Sequence, residues 1–422
     1  MPHARHARAL LQWLALGGAV GVLTGLASAL FLWLLDVVTG FRERNEAIVY
    51  ALPLAGLALG FVYERWGKPI RGGNNLVLDT LHEDSAQIPL RMAPMVLVGT
   101  VLTHLFGGSA GREGTAVQMG GSLSDALARR FGLTGETRRA ILAAGMAGGF
   151  GSVFGTPFAG AVFGLEVLTI GAIEYHALVP ALTASIVGDL VVRAIGVAHA
   201  HYPAVDATPL TPLLGLKWLL FGGCAAVVTV AFVELTDFLK KRLERALPSL
   251  PLRMFVSGLA VVLMWRLAGT SAYLGLGIPT ILQSFEDPSL SPAAFALKLA
   301  FTAVTLSAGF MGGEVTPLFF VGATLGNALA GPLELPLALA VGVGLAAIFG
   351  AAANTPIALS IMAVELLGAN VLPHVVIVSV VAYLLTGHRG IYPRQRIARL
   401  KHGGPRLPKV VPLSELERDQ DR

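Results

Sequence analysis

Gly107-Gly-Ser-Ala-Gly-Arg-Glu-Gly-Thr-Ala-Val-Gln-Met-Gly-Gly121 sets one carboxylate, Glu113, among glycines inside a chain otherwise written for lipid. Gly111 and Gly114 flank it, and missing side chains let backbone N–H groups approach a ligand before a helix that starts near Thr115. A helix N-terminus at that point attracts an anion. A charged carboxylate at mid-membrane depth costs roughly 2.5–3.5 kcal/mol on insertion scales, so a Glu without a task there is expensive. The stretch reads as an ion site at which Glu113 competes with the ion. The alternative is a surface ion pair between Arg112 and Glu113 in an exposed loop.

Composition decides the setting. The chain has 54% hydrophobic and 14% charged residues, against about 25% charged in soluble domains, which makes it a polytopic membrane protein. Arg5 to Arg8 followed by apolar residues and Ala27-Ser28-Ala29 mimics a signal peptide, but the apolar run continues through Val38. It is therefore expected to be a retained first membrane helix with its basic end in the cytoplasm. The single cysteine, Cys224, excludes an internal disulfide and a cysteine-based metal cluster, and no cofactor is implied. The net charge of +5 lies at membrane-flanking positions such as Arg389, Arg394, Arg396, Arg399 and Lys401, a topogenic pattern rather than a nucleic-acid-binding one. Both termini are expected in the cytoplasm.

Apolar segments run at about 9–38, 46–63, 93–106, 115–130, 139–150, 157–172 and 177–195. Several fall short of the ~20 residues of a full span, which implies partial or broken helices. A second series follows at about 213–236, 253–268, 292–308, 316–331, 335–350, 356–368 and 373–386. The two series repeat one another. Gly111-x-Glu113-x-Thr115 returns 201 residues later as Gly312-x-Glu314-x-Thr316. Thr156-Pro157 with Glu166 returns 199 residues later as Thr355-Pro356 with Glu365. Gly73-Asn-Asn-Leu76, closing on His82-Glu83-Asp84, answers Gly275-Leu-Gly-Ile-Pro279, closing on Phe285-Glu286-Asp287. Glycine-interrupted apolar segments at matching places in two halves point to a transporter binding site. The expected organisation is a first membrane repeat over 1–200, a linker over 201–212, a second repeat over 213–392 and a polar cytoplasmic tail over 393–422. The halves are expected to be inverted. The tail carries Pro393, Pro405, Pro408 and Pro412 and a charged end, Glu415 to Arg422.

These motifs, taken in order, resemble the CLC anion channels and transporters: a Gly-x-Gly-Ile-Pro-like stretch, Gly111-Arg-Glu-Gly114, a Gly-x-x-x-Pro stretch and a late tyrosine. Gly313-Glu314-Val315-Thr316-Pro317 resembles more narrowly the fluoride/proton antiporter branch, where a glutamate replaces the usual phenylalanine and a threonine follows. The resemblance covers roughly residues 10 to 400. It implies an all-α membrane fold of two repeats with broken helices, a homodimer in the cell membrane, bacterial inner membrane by implication, and fluoride exported against protons.

Position by position, the resemblance implies that Glu113 gates the anion pathway and carries the proton. Gly111 and Gly114 offer backbone to the anion, and Asn74 stands where chloride-handling relatives have a serine. Glu314 joins Glu113 in proton transfer, Thr316 binds the anion by its hydroxyl, and Tyr392 contacts the central anion. An amide supplies donors and acceptors and a hydroxyl donates to a small hard anion, so the residue types suit these roles. Plain alternatives stand beside them: Asn74 as a helix-cap or turn residue, Glu314 and Thr316 as a satisfied buried pair, Tyr392 as an interfacial anchor near Arg389 and Arg394. Phe319 and Phe320 could line an anion route with weakly positive ring edges, but suit a core equally. Val167 stands where many proton-coupled chloride relatives carry an internal glutamate, so the inward proton route must differ here. Glu166 and Glu365 read as structural helix-end residues. His104, His199 and His201 lack ligand spacing.

Two rivals remain. A chloride/proton antiporter or passive chloride channel of the same fold is opposed by Asn74 and by Glu314-Val-Thr316. A membrane-embedded enzyme would use Glu113 and Glu314 as an acid/base pair, yet the chain has no His-Glu-x-x-His and no Gly-x-Ser-x-Gly. An enzyme is not expected, and neither a receptor nor a purely structural membrane protein needs carboxylates at mirrored helix breaks.

Overall fold

The computed structural model describes residues 2–83, 86–403 and 406–420, so that Asp84, Pro405 and Arg422 lie outside the described residues. The first half contains α1 (Pro2–Arg44), α2 (Leu52–Trp66), α3 (Asn74–His82), α4 (Met92–Leu105), α5 (Glu113–Arg130), α6 (Gly135–Phe154), α7 (Pro157–Glu166) and α8 (Leu178–Ile195). The second repeats the series as α9 (Pro212–Ala246), α10 (Leu250–Ala268), α11 (Ile278–Gln283), α12 (Ala294–Ser307), α13 (Val315–Ala330), α14 (Leu337–Ala353), α15 (Pro356–Leu367) and α16 (Leu372–Leu385). Among the described residues, five helical stretches are long and apolar enough to cross a membrane, by length and composition. Six further apolar stretches among the described residues are shorter, at 10–17 residues, as expected for broken spans. This is an all-α polytopic membrane protein. α1 overruns the expected segment at both ends: its 43 residues make a rod of roughly 65 Å, twice a ~30 Å hydrocarbon core.

Burial sorts the helices into two shells. α5, α6, α13 and α14 are enclosed almost all round, whereas α1, α2, α9, α10 and α16 leave large apolar side chains such as Leu26, Trp33, Phe61, Leu219, Val227, Leu263 and Leu385 exposed. Apolar faces turned outward suit lipid, which removes the need to hide them. In the inner shell, packing depends on absent side chains. A Cβ on Gly120 of α5 would stand 2.0 Å from Gly145 O of α6. In the second half, a Cβ on Gly322 of α13 would stand 2.1 Å from Gly344 O of α14. The same close crossing is thus built twice, by small residues that let backbones touch where no hydrophobic force drives helices together.

The halves also staple each other. Glu166 at the end of α7 accepts from Ile357 N (3.1 Å) and Ala358 N (2.8 Å) in the first turn of α15. Glu365 of α15 accepts from Phe158 N (3.0 Å) and Ala159 N (2.7 Å) in the first turn of α7. Each carboxylate caps the other half's helix, satisfying donors that a helix start leaves free and meeting the positive end of its dipole. The threonines at the two N-cap positions, Thr156 and Thr355, consequently have buried hydroxyls without a hydrogen-bond partner. Reciprocal contacts of this kind mark a two-fold relation between the repeats.

The expected linker is not free chain: Val205 N donates to Leu367 O (2.9 Å) and Asn370 Nδ2 to Val205 O (3.2 Å). The tail is folded as well. Strand β1 (Thr169–Ile170), which the apolar run 157–172 hid inside a helix-like segment, pairs parallel with β2 (Arg396–Arg399). β2 pairs antiparallel with β3 (Arg406–Pro412), and α17 (Leu413–Gln420) follows. Ile170, Ile397 and Leu413 form their own small apolar cluster.

Replacing Glu166 or Glu365 by Ala leaves two backbone donors unmet and is expected to cost about 1–3 kcal/mol of stability each. Gln, which keeps an acceptor, loses less; thermal unfolding of the purified protein in detergent measures both.

Candidate functional site

The two helix breaks meet. Gly111 N donates to Gly313 O (2.6 Å) and Gly313 N to Gly111 O (2.8 Å), an isolated antiparallel bridge between equivalent points of the halves. Only glycine fits: a Cβ on Gly313 would stand 2.7 Å from Gly114 N, and one on Gly111 2.9 Å from Gly313 O. The bridge places the first turn of α5 against the first turn of α13.

Glu113 opens α5 and is fully buried. Its carboxylate does not face the start of its own helix alone; it lies on the first turn of α13, where Thr316 N donates to Oε2 (3.1 Å) and Thr316 Oγ1 to Oε1 (2.5 Å). Arg112 adds N to Oε2 (3.1 Å) and Nε to Oε1 (3.4 Å). The Arg112–Glu113 pair therefore exists, but enclosed: the side chains are 11% and 0% exposed. The carboxylate occupies a nest of N–H and O–H donors at a helix N-terminus, where an anion would sit.

Glu314, at the N-cap of α13, is placed differently. Its Oε2 is buried and has no hydrogen-bond partner, and the same holds for Asn74 Oδ1 at the start of α3. The two converge on Gly114, where a Cβ would stand 3.1 Å from Asn74 Nδ2, 3.1 Å from Gly313 Cα and 3.9 Å from Glu314 Oε2. Buried polar atoms without partners are rare in native proteins and call for a ligand or a proton. Tyr392 is enclosed, 4% exposed, within electrostatic reach of Glu314 and Glu113, so it is no interfacial anchor.

The structure thus brings Asn74, Gly111, Glu113, Gly114, Glu314, Thr316 and Tyr392 into one region. Phe319 and Phe320 are both wholly buried; Phe319 packs on Phe154 and Phe349, and Phe320 on Tyr273. Thr115, the repeat mate of Thr316, turns away and shares a hydrogen bond with Thr100 (2.7 Å). Val167 is buried, and its carbonyl accepts from Gln395 Nε2 (2.9 Å). His104 sits between the carbonyls of Thr100 (2.8 Å) and Ala110 (3.0 Å), and His199 against Ser152 O (2.8 Å). Among the described residues no His, Cys, Asp and Glu group has metal-site geometry. Sequence reasoning passed over Tyr202, which comes within electrostatic reach of Arg112 and Glu113 from the linker. Its only signal was an aromatic residue in a polar stretch.

Carboxylates, an amide and two helix N-termini thus gather where apolar helices of the two halves break. Residues 55–387 match the voltage gated chloride channel family, and the chain belongs to this family, the CLC proteins, which are ion transporters and channels rather than enzymes. It is 47% identical to a chloride/fluoride channel protein of Pseudomonas syringae pv. tomato, over 97% of this chain and 91% of that one. Its fold is similar to the crystal structure of a CLC-type fluoride/proton antiporter, with a TM-score of 0.89 and 36% identity over 92% of this chain and 98% of that one. A slow cyanobacterial Cl⁻/H⁺ antiporter shares the fold alone, at a TM-score of 0.78 and 20% identity over 89% of this chain and 94% of that one.

Gly313→Ala forces backbone against backbone and is expected to cost about 1–3 kcal/mol, lowering the melting temperature in detergent. Gly331→Ala, with open space around its Cβ, should leave the melting temperature unchanged.

Proposed function

We propose that the chain is a secondary active transporter that exports fluoride in exchange for protons, with Glu113 as the gate that carries the proton. The seat of Glu113 on α13 is the observation that carries this reading. Its two oxygens use the N–H and O–H of Thr316, donors that an anion would need, so carboxylate and anion exclude one another there. Protonation weakens the carboxyl as an acceptor and frees it to leave; the anion then takes the same donors. Competition of this kind exchanges a proton for an anion at one site.

The preference for fluoride rests on the site's chemistry and on what the relatives are called. A hydroxyl and backbone N–H groups at short range suit a small, hard acceptor. Glu314, its Oε2 unpartnered, can stay protonated and donate to fluoride, whereas an ionised carboxylate would repel any anion. The proton path from the inner side would then use Glu314, since Val167 offers no acid. Asn74, Gly111, Gly114 and Tyr392 complete the anion surroundings. The protein would work as a homodimer with a pathway in each subunit, in the bacterial inner membrane, with both termini cytoplasmic. The second reading, chloride/proton exchange or passive chloride flow, draws on the chloride half of the Pseudomonas relative's name.

Protein reconstituted in vesicles is expected to release fluoride while taking up protons. Glu113→Gln should still bind fluoride yet lose about a hundredfold or more of its proton coupling, in the range by which positioned proton-transfer groups act. Unchanged coupling removes Glu113 from the role, and faster chloride than fluoride efflux favours the second reading.

A further inference from the structure

α12 carries a single charged residue, Lys298, set among apolar neighbours and wholly buried. A charge inside an apolar membrane helix is costly and calls for a task. Lys298 Nζ donates to Tyr273 O (3.1 Å) and Gly275 O (2.6 Å) and stands over the Phe320 ring, 5.4 Å from its centre. Two carbonyl oxygens and the negative face of a ring only accept, a set that suits an ammonium and offers nothing to the lone pair of a neutral amine. Arg42, at the end of α1 and also buried, reaches the same turn: its Nη1 donates to His104 O (2.7 Å) and would stand 2.6 Å from a Cβ on Gly275. Among the described residues Lys298 has no acid at ion-pair distance, and the acid within electrostatic reach of Arg42 is its exposed chain neighbour Glu43.

Both cations are tied to the break that carries Glu113. Gly275 N donates to Gly108 O (3.2 Å). Further along α12 from Lys298, Thr302 Oγ1 meets Ser109 Oγ (2.9 Å) and Thr305 Oγ1 accepts from Ser109 N (3.2 Å). His104, whose carbonyl holds Arg42, faces Ala110 O through Nε2 (3.0 Å). On the other side, Phe320 follows Thr316 by one turn on the same face of α13. The Lys298 ammonium is therefore on the order of 10 Å from the seat of Glu113 on Thr316. That seat is negative in either state of the exchange, as the Glu113 carboxylate or as the anion that replaces it. Buried charge of one sign without a bonded partner is expensive, and the seat supplies the opposite sign.

We propose that Lys298 and Arg42 are positioning residues that act on this seat through their field, setting its affinity for fluoride and the pH at which Glu113 gives it up. The inference rests on the reading above, in which Glu113 and fluoride compete for one seat. Neither cation touches the anion. In a poorly screened interior a unit charge ~10 Å away changes an equilibrium about tenfold. The other titratable and charged groups facing Lys298 are Arg42 from α1, His104 from α4 and Tyr273 from the turn before α11. Those facing Glu113 are Arg112, Tyr202, Tyr392 and, across Gly114, Glu314.

The test titrates potassium fluoride into the purified full chain in detergent by calorimetry, at a series of pH values. The unmodified chain should bind more tightly as the pH falls and Glu113 takes up a proton. Lys298→Gln keeps an N–H donor for the carbonyls of Tyr273 and Gly275 and removes the charge. At the acid end its fluoride Kd should rise about tenfold, because the anion loses an attracting charge. The midpoint of the pH dependence should move up by about one pH unit, because without the cation the carboxylate is less favoured over its neutral form. Arg42→Gln keeps a donor for His104 O, should move Kd and midpoint in the same directions, and carries the test where the first variant fails to fold. Unchanged Kd and midpoint overturn the proposal. A raised Kd with an unmoved midpoint marks a structural staple and overturns it as well. Fluoride binding by the unmodified chain that does not vary with pH strikes the competition reading instead. In that case a tenfold loss of affinity in both variants supports the field of the two cations, and unchanged affinity overturns it.

Discussion

One carboxylate seated on a helix that belongs to the other half of the molecule organises this protein. Glu113 reaches Thr316 only because Gly111 and Gly313 touch backbone to backbone. That touch requires the starts of α5 and α13 to face each other at the centre of the protein. The glycine crossings of α5 with α6 and of α13 with α14, and the exchanged caps of Glu166 and Glu365, hold both helix starts at that meeting. Fixing a buried carboxylate needs donors on both oxygens, and the fold supplies them from two chains of hydrogen-bonding groups, Arg112 and Thr316.

Duplication supplied the frame and divergence supplied the chemistry. Glu113 and Glu314 occupy matching breaks, yet the first has four donor contacts and the second an oxygen with none. Thr316 serves Glu113, while its mate Thr115 bonds to Thr100. The partners are unequal: one carboxylate is bonded on both oxygens, and the other stands near Asn74, beside Gly114.

The tail gives the site its floor. Gln395, wholly buried, donates to Val167 O and Ala353 O and accepts from Asn354 Nδ2. The segment from Gly390 to Gln395 is thereby fixed to the ends of α7 and α14, and Tyr392 with it. At Val167 the chain offers a backbone carbonyl bonded to the Gln395 amide, so Val167 serves as a structural anchor.

Much of the architecture could be read from the residues in order. Apolar segments, their shortness, the offset of about 200 residues between Glu113 and Glu314, and the glycine-flanked carboxylates are local properties, and local pattern decides where helices begin, end and break. Nothing local says whom a residue meets across the fold. That Glu113 rests on Thr316, that Tyr392 is enclosed, that Thr169 and Ile170 leave helical form to pair with Arg396 and Ile397, and that α3 is tied to Arg394 are pairings between residues remote in sequence. The chain by itself determined a duplicated membrane protein with a glycine-set carboxylate at a helix break in each half. Only the tertiary structure made the two breaks into one unequal site, because a hydrogen bond depends on distance in space and the sequence records distance along the chain.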